Sequence, residues 1–248
     1  FALSLGLAAE PVSVQVDAPT YAGEHIRLFA YSDLFTLSPM LLAEADLDAQ
    51  GRAVLKAEVA GTSKVLLRVG AVVADFYLRA GNYHVSIPPP PVGEALPMGG
   101  TTRVDLEFID LPALDVNALV GDLNERLDAF VADQLATDNN AGMAEVAKVR
   151  AGKVTPAADS SRAPVQIFTG PQWNPARTDT FAQKLQNFYA SVNDPWFQND
   201  VDYGLAGLYL GPRNDDRKLF DRCLKSKPVL YDVPEYVRFF SGFYEGYM

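Results

Sequence analysis

The chain has 248 residues, 48% of them hydrophobic and 21% charged, and carries a formal net charge of −10. That length is enough for one large domain or two modest ones, with an adequate apolar core in either case. The charge argues against nucleic acid and anionic membrane surfaces as partners. Both favour clustered cations that release counterions, and the 21 Lys and Arg here are scattered.

The opening "FALSLGLAAEP" starts on Phe1 and reads as the tail of a secretory signal peptide. Phe1 to Leu7 would close an apolar h-region, with Gly6-x-Ala8 or Leu7-x-Ala9 supplying the small residues of a cleavage site. Residues 1–9 are therefore expected to be a signal-peptide remnant, and the protein periplasmic or secreted. The alternative for this stretch is a short buried N-terminal strand. No run approaches the length of a transmembrane helix.

From there to about residue 110 the apolar period is two. Val12, Val14 and Val16 alternate with polar residues, as do Ile26 and Leu28, then Ala53, Leu55, Ala57 and Val59. Tyr83, Val85 and Ile87 continue the pattern, and Val104, Leu106 and Phe108 close it. Such alternation marks strands with one face on a core and the other in water. Turn residues fall between the runs, in "DAPTYAGE", "DAQG", "VAGTS" and "RAGN". An antiparallel β-sandwich over residues 10–110 is expected. "IPPPPVGEALPMGG", Ile87 to Gly100, interrupts it and reads as a rigid polyproline connector, rather than a ligand for a proline-recognition domain.

After Leu111 the period becomes helical. Val116, Leu119, Val120, Leu123, Leu127, Phe130, Val131 and Leu135 form one stripe, with Asp115 placed as N-cap. The pattern lapses over residues 137–177, read as a mobile loop with a short helix inside. It returns with Phe181, Leu185, Phe188, Tyr189 and Val192, then Val201, Leu205, Leu208 and Tyr209, then Leu219, Phe220, Cys223 and Leu224. "GPRND", Gly211 to Asp215, supplies a stop and a fresh start.

The last stretch, "KPVLYDVPEYVRFFSGFYEGYM", places Pro234 in a first helical turn. Tyr236, Phe239, Phe240, Phe243, Tyr244 and Tyr247 then share one face, read as core packed chiefly on the helix of Phe181, Leu185 and Phe188. The fold class expected is α+β: the sandwich first, then an all-helical domain over residues 111–248.

No residue is assigned as catalytic, cofactor-binding or metal-binding. "DLDAQG", Asp46 to Gly51, imitates a calcium loop, but Ala57 stands where the bidentate Glu belongs, so it reads as strand–turn–strand. His25 and His84 each stand alone, without a readable nucleophile or orienting group. Cys223, the single cysteine, sits on an apolar helix face, as a buried structural thiol does. Trp173 in "TGPQWNP" and Trp196 in "NDPWF" are candidates for ligand or partner contact; the alternative is that they staple loops to a core.

"APTYAGEHIRLFAYSDLFT", "DAQGRAVLKAEV", "FYLRAGNYHVSIPPP" and the aromatic ending together resemble a family of exported Bacteroidota proteins. The resemblance covers most of residues 11–135 and 178–248. It implies an N-terminal sandwich of the carboxypeptidase-regulatory-like sort, then a helical region, with some members continuing into a TlpA-type thioredoxin-fold domain. Three functions are then open: a non-catalytic scaffold or interaction module of the cell envelope, an accessory region of a thiol-disulfide oxidoreductase, or a carbohydrate- or peptide-binding module. In the second, the Cys-x-x-Cys would lie beyond residue 248. The partner implied is another envelope protein or that C-terminal domain; no cofactor is implied.

Overall fold

The computed structural model describes residues 9–89, 100–150, 175–210 and 215–245. Strands come first and helices follow, so the fold is α+β. The strands are β1 (Glu10–Asp17), β2 (His25–Tyr31), β3 (Pro39–Asp46), β4 (Arg52–Val59) and β5 (Ser63–Val69). After them come β6 (Val72–Leu78), β7 (Gly81–Ser86), β8 (Thr102–Arg103) and β9 (Glu107–Phe108). One sheet has the order β4-β1-β7-β9 and the other β3-β2-β5-β6-β8.

The inward residues of both sheets meet in one core. Val12, Val14, Val16, Leu55 and Val85 pack against Ile26, Leu28, Val65, Leu67, Phe76 and Leu78. This is the two-layer arrangement that the alternation predicts, because each half-buried strand must hide one face. The pairing is mixed, however: β1 pairs β7 and β6 pairs β8 in parallel, while the other pairs are antiparallel. The run through Val104, Leu106 and Phe108, expected as one strand, is broken: β8 ends before Val104, β9 starts after Leu106, and the two join different sheets.

The "DAQG" link is a turn built by its own side chain. Asp48 Oδ1 accepts hydrogen bonds from the backbone N–H groups of Gln50 and Arg52 at 2.8 and 2.9 Å. Gly51 there has φ +75°, and a Cβ would lie 2.4 Å from the Ala18 carbonyl oxygen, so only glycine fits.

The helices are α1 (Val116–Arg150), α2 (Pro175–Tyr189), α3 (Pro195–Gly207), α4 (Asp216–Cys223) and α5 (Pro234–Glu245). Their starts follow local chemistry. The carboxylates of Asp115, Asp194 and Asp215 accept from first-turn N–H groups, and Pro195 and Pro234 sit where no intrahelical donor is needed. One expectation fails here: α1 continues to Arg150, through the first part of the stretch read as a loop over 137–177. Ala136, Ala141, Ala144 and Ala147, with Met, Glu and Lys between them, sustain a helix by propensity where no apolar stripe marks it. Residues 151–174 of that expected loop lie outside the described residues, as do Phe1 to Ala8 and most of the proline-rich connector.

The helices bury two clusters. Val116, Leu119, Leu123 and Leu127 of α1 pack with Leu185 and Tyr189 of α2 and with Phe197, Val201 and Leu205 of α3. Tyr203 and Ala206, also on α3, pack with Leu219 and Cys223 of α4 and with Tyr236, Phe239 and Phe243 of α5. Tyr236, Phe239 and Phe243 of the terminal aromatic stripe are therefore core, but their partners are α3 and α4, not α2; Phe240 is half-buried, Tyr244 is exposed, and Tyr247 lies outside the described residues. Central α3 has two apolar faces and takes one neighbour pair on each, while α2 spends Leu185 and Tyr189 on α1 and α3 and leaves Phe188 exposed. No helix among the described residues is long and apolar enough to cross a membrane.

Candidate functional site

The sandwich and the helices are joined at a free stretch of sheet edge. β8 reaches only Val72 and Val73 of β6, so among the described residues Tyr77 further along has no neighbouring strand on that side. Asn117 of α1 takes the strand's place: its Oδ1 accepts from the Tyr77 N–H at 2.7 Å, and its Nδ2 donates to the Tyr77 carbonyl at 2.9 Å. Arg79 then pairs with Asp194, the carboxylate that caps α3. Trp196 stands edge-on to Tyr77 with ring centroids 5.3 Å apart, and its Nε1 donates to the Asp232 carbonyl at 3.1 Å. Trp196 thus ties α3 to β6 and to the approach to α5. Trp173 lies outside the described residues.

Beneath this seam are two buried carboxyl groups that the sequence reading passes over. Asp200 of α3 is 1% exposed and Glu235 of α5 is 7% exposed. The Glu235 N–H donates to Asp200 Oδ1 at 3.3 Å, so Asp200 caps the start of α5 from another helix. Glu235 Oε1 pairs with Arg238 Nη1 at 2.9 Å. Burial first, and the Glu235 charge second, push Asp200 up to about 7. Burial likewise raises Glu235, and it lowers Lys64 of β5, which faces both acids. A signal for Asp200 existed, because it occupies an apolar-face position between Phe197 and Leu205. Glu235 gave none, since an acid after Pro234 reads as ordinary first-turn chemistry.

The histidines have partners that only strand register supplies. His25 Nδ1 lies 2.7 Å from Asp46 Oδ1 and Nε2 lies 3.1 Å from Glu44 Oε2, both on β3. These hydrogen bonds raise the imidazole pKa, Asp46 contributing most, and engage both ring nitrogens at once. His84 Nε2 lies 2.8 Å from Asp17 Oδ2 on the neighbouring strand.

Cys223 is buried on α4, and Tyr203 Oη donates to its backbone carbonyl at 2.9 Å. A thiol reagent is expected to label it slowly in the folded protein and completely in urea. Insulin-reduction assays should show no turnover that Cys223→Ser removes; turnover abolished by that substitution would mean the thiol reaches solvent.

Some of the exposed apolar residues lie in two segments of the chain that meet. Phe35, Leu37, Met40 and Leu41 of the β2–β3 link and β3 are exposed, as are Val229, Tyr231 and Tyr244 near and on α5. The two groups touch: the Phe35 ring meets Tyr231 at 5.9 Å and Phe240 at 5.4 Å, and Phe240 meets Tyr244 at 4.6 Å. The Leu34 N–H also donates to the Tyr231 carbonyl at 3.1 Å, which fixes the link against the helices. Leu37 holds φ +51°, a conformation that bulky side chains rarely adopt. The outcome is an aromatic ridge at the seam of the two halves.

No family model matches the chain, and no curated protein matches it. Among solved structures it is similar to a shaft pilin, spaA, from Lactobacillus rhamnosus GG, at 10% identity and a TM-score of 0.21. The likeness covers 41% of this chain and 47% of the pilin, less than half of either. A superposition that loose says nothing about a shared fold or role.

Proposed function

We propose that this chain is a non-catalytic interaction module of a secreted or periplasmic cell-envelope protein, and that its contact surface is the ridge at the seam. The observation that carries this reading is the cluster of rings: exposed Phe35, Tyr231 and Tyr244 are joined through half-buried Phe240. Contiguous apolar surface of this kind marks association sites more often than scattered single residues do. The partner that fits is a protein surface presenting aliphatic side chains, against which Tyr231 and Tyr244 supply large, rigid contact area. The paired histidines and the buried thiol support a structural rather than chemical use of these groups. The apolar, small-residue start supports export.

A second reading is favoured by the resemblance in "FYLRAGNYHVSIPPP" and the aromatic ending: an accessory region whose ridge receives a TlpA-type thioredoxin-fold domain of the same protein. A photo-crosslinking residue at Tyr231, compared with one at Lys56 on the opposite sheet, tests both. Cross-links from Tyr231 alone are expected, with the captured partner, once purified, binding Tyr231→Ser at least tenfold more weakly. Equal capture from Lys56, or unchanged binding to Tyr231→Ser, would remove the ridge as the contact surface.

A further inference from the structure

We propose that the seam between the sandwich and the helices is a pH-operated latch, which opens when Asp200 ionises while the core of each half stays folded. The ridge is built across this seam, with Phe35 on the sandwich side and Tyr231 and Phe240 on the helical side. Opening therefore parts those rings. That consequence rests on the ridge reading; the latch itself does not.

The two halves are built to separate. Among the described residues the sandwich core and the helical clusters share no buried side chain, and from the strands Tyr77 alone packs into a helical cluster. Besides the ridge contacts, the seam is crossed by the Asn117 bonds to Tyr77, the Arg79–Asp194 pair and the Trp196–Tyr77 ring contact. A partly polar interface between two separate cores lets them move relative to each other.

Asp200 makes the closed seam depend on pH. It is 1% exposed and, among the described residues, forms no ion pair. The groups facing it are Glu235 and Arg238 of α5, Lys64 of β5 and the Tyr77 hydroxyl of β6. Beyond them, Asp128 of α1 acts on Glu235, and Arg103 of β8 acts on Lys64. A carboxylate at this junction has lost its water, and that loss together with the Glu235 charge outweighs the Glu235 N–H and both cations. Water entering an open seam removes the penalty. Asp200 thus keeps its proton up to about 7 when the seam is closed and releases it near 3.8 when open, so rising pH favours the open form.

The test is amide hydrogen exchange of the whole chain, because the Tyr77 N–H is held across the seam by Asn117 Oδ1. With rates corrected for the intrinsic effect of pH, the opening constant at Tyr77 should rise about a hundredfold from about pH 5 to about pH 8. Most of that rise should come below about 7, where it levels off. Leu67 of the sandwich core and Leu123 of the helical core should stay more strongly protected throughout. Asp200→Asn should make the Tyr77 value independent of pH, and Glu235→Gln should move the levelling-off to lower pH. Any one of four results would overturn the proposal: no change with pH at Tyr77, the same rise in Asp200→Asn, an unmoved levelling-off in Glu235→Gln, or Tyr77 exchanging no faster than Leu67 and Leu123.

Discussion

Replacing Phe239 by alanine is expected to lower the stability of the protein by about 3–5 kcal/mol. Phe239 is 1% exposed and packs between α3 and α4, with its ring centroid 5.8 Å from Tyr203 and 6.0 Å from Phe243. Truncation would leave a void that close-packed neighbours fill only in part. Because a domain is typically held by about 5–15 kcal/mol, the loss should move the urea midpoint far enough to be read directly. Phe240→Ala is the control. That ring is half-buried against Phe35 on the ridge, so truncation should cost distinctly less. Equal losses for the two variants would show that the face of α5 has been assigned wrongly.

Asp200→Asn is expected to stabilise the protein, and more strongly as pH rises. The folded carboxyl is raised from 3.8 to about 7, so the folded state holds a proton that the unfolded state has released. Stability from this group is therefore fully present below about 4 and lost as pH rises toward 7. Asparagine keeps the acceptor for the Glu235 N–H but cannot ionise. The charged groups around it are Glu235 and Arg238 on α5 and Lys64 on β5, with the Tyr77 hydroxyl from β6; Asp128 on α1 acts on Glu235. Glu235, also raised, acts in the same direction as Asp200. The gain of the variant over the parent should be about 3 kcal/mol larger at pH 8 than at pH 5. Urea unfolding of both proteins at the two pH values measures it. A gain that does not change with pH would mean that Asp200 titrates as an exposed carboxylate.

Much of the secondary structure was legible because its causes are local. β1, β4 and β7 each have one face on the core and one in water, so their apolar residues alternate. Asp115, Asp215 and Pro234 mark helix starts through groups within one turn of themselves. The same logic placed Cys223, Tyr236, Phe239 and Phe243 on buried faces, while Tyr244, read the same way, is exposed. β6 escaped notice for the converse reason. Val73 is buried as well as Val72 and Ala74, and Tyr77 on its outer face meets α1 and α3, so the alternation is blurred. The continuation of α1 past residue 137 escaped too, because propensity rather than a stripe sustains it.

Partner choice was not legible, since it depends on which distant faces must be hidden together. Nothing near Phe239 in the chain says that α3 rather than α2 will cover it; that follows from α3 having an apolar face left over. Nothing near His25 announces Glu44 and Asp46, which arrive by the pairing of β2 with β3. Asp200 and Glu235 become a buried pair only because α3 and α5 pack side by side, and the ridge exists only because the β2–β3 link reaches Tyr231. Periodicity and caps act over a turn or a strand pair, and those set the elements of this protein. Burial acts across the whole chain, and it decided which charges lost their water and which aromatic rings kept a face in it.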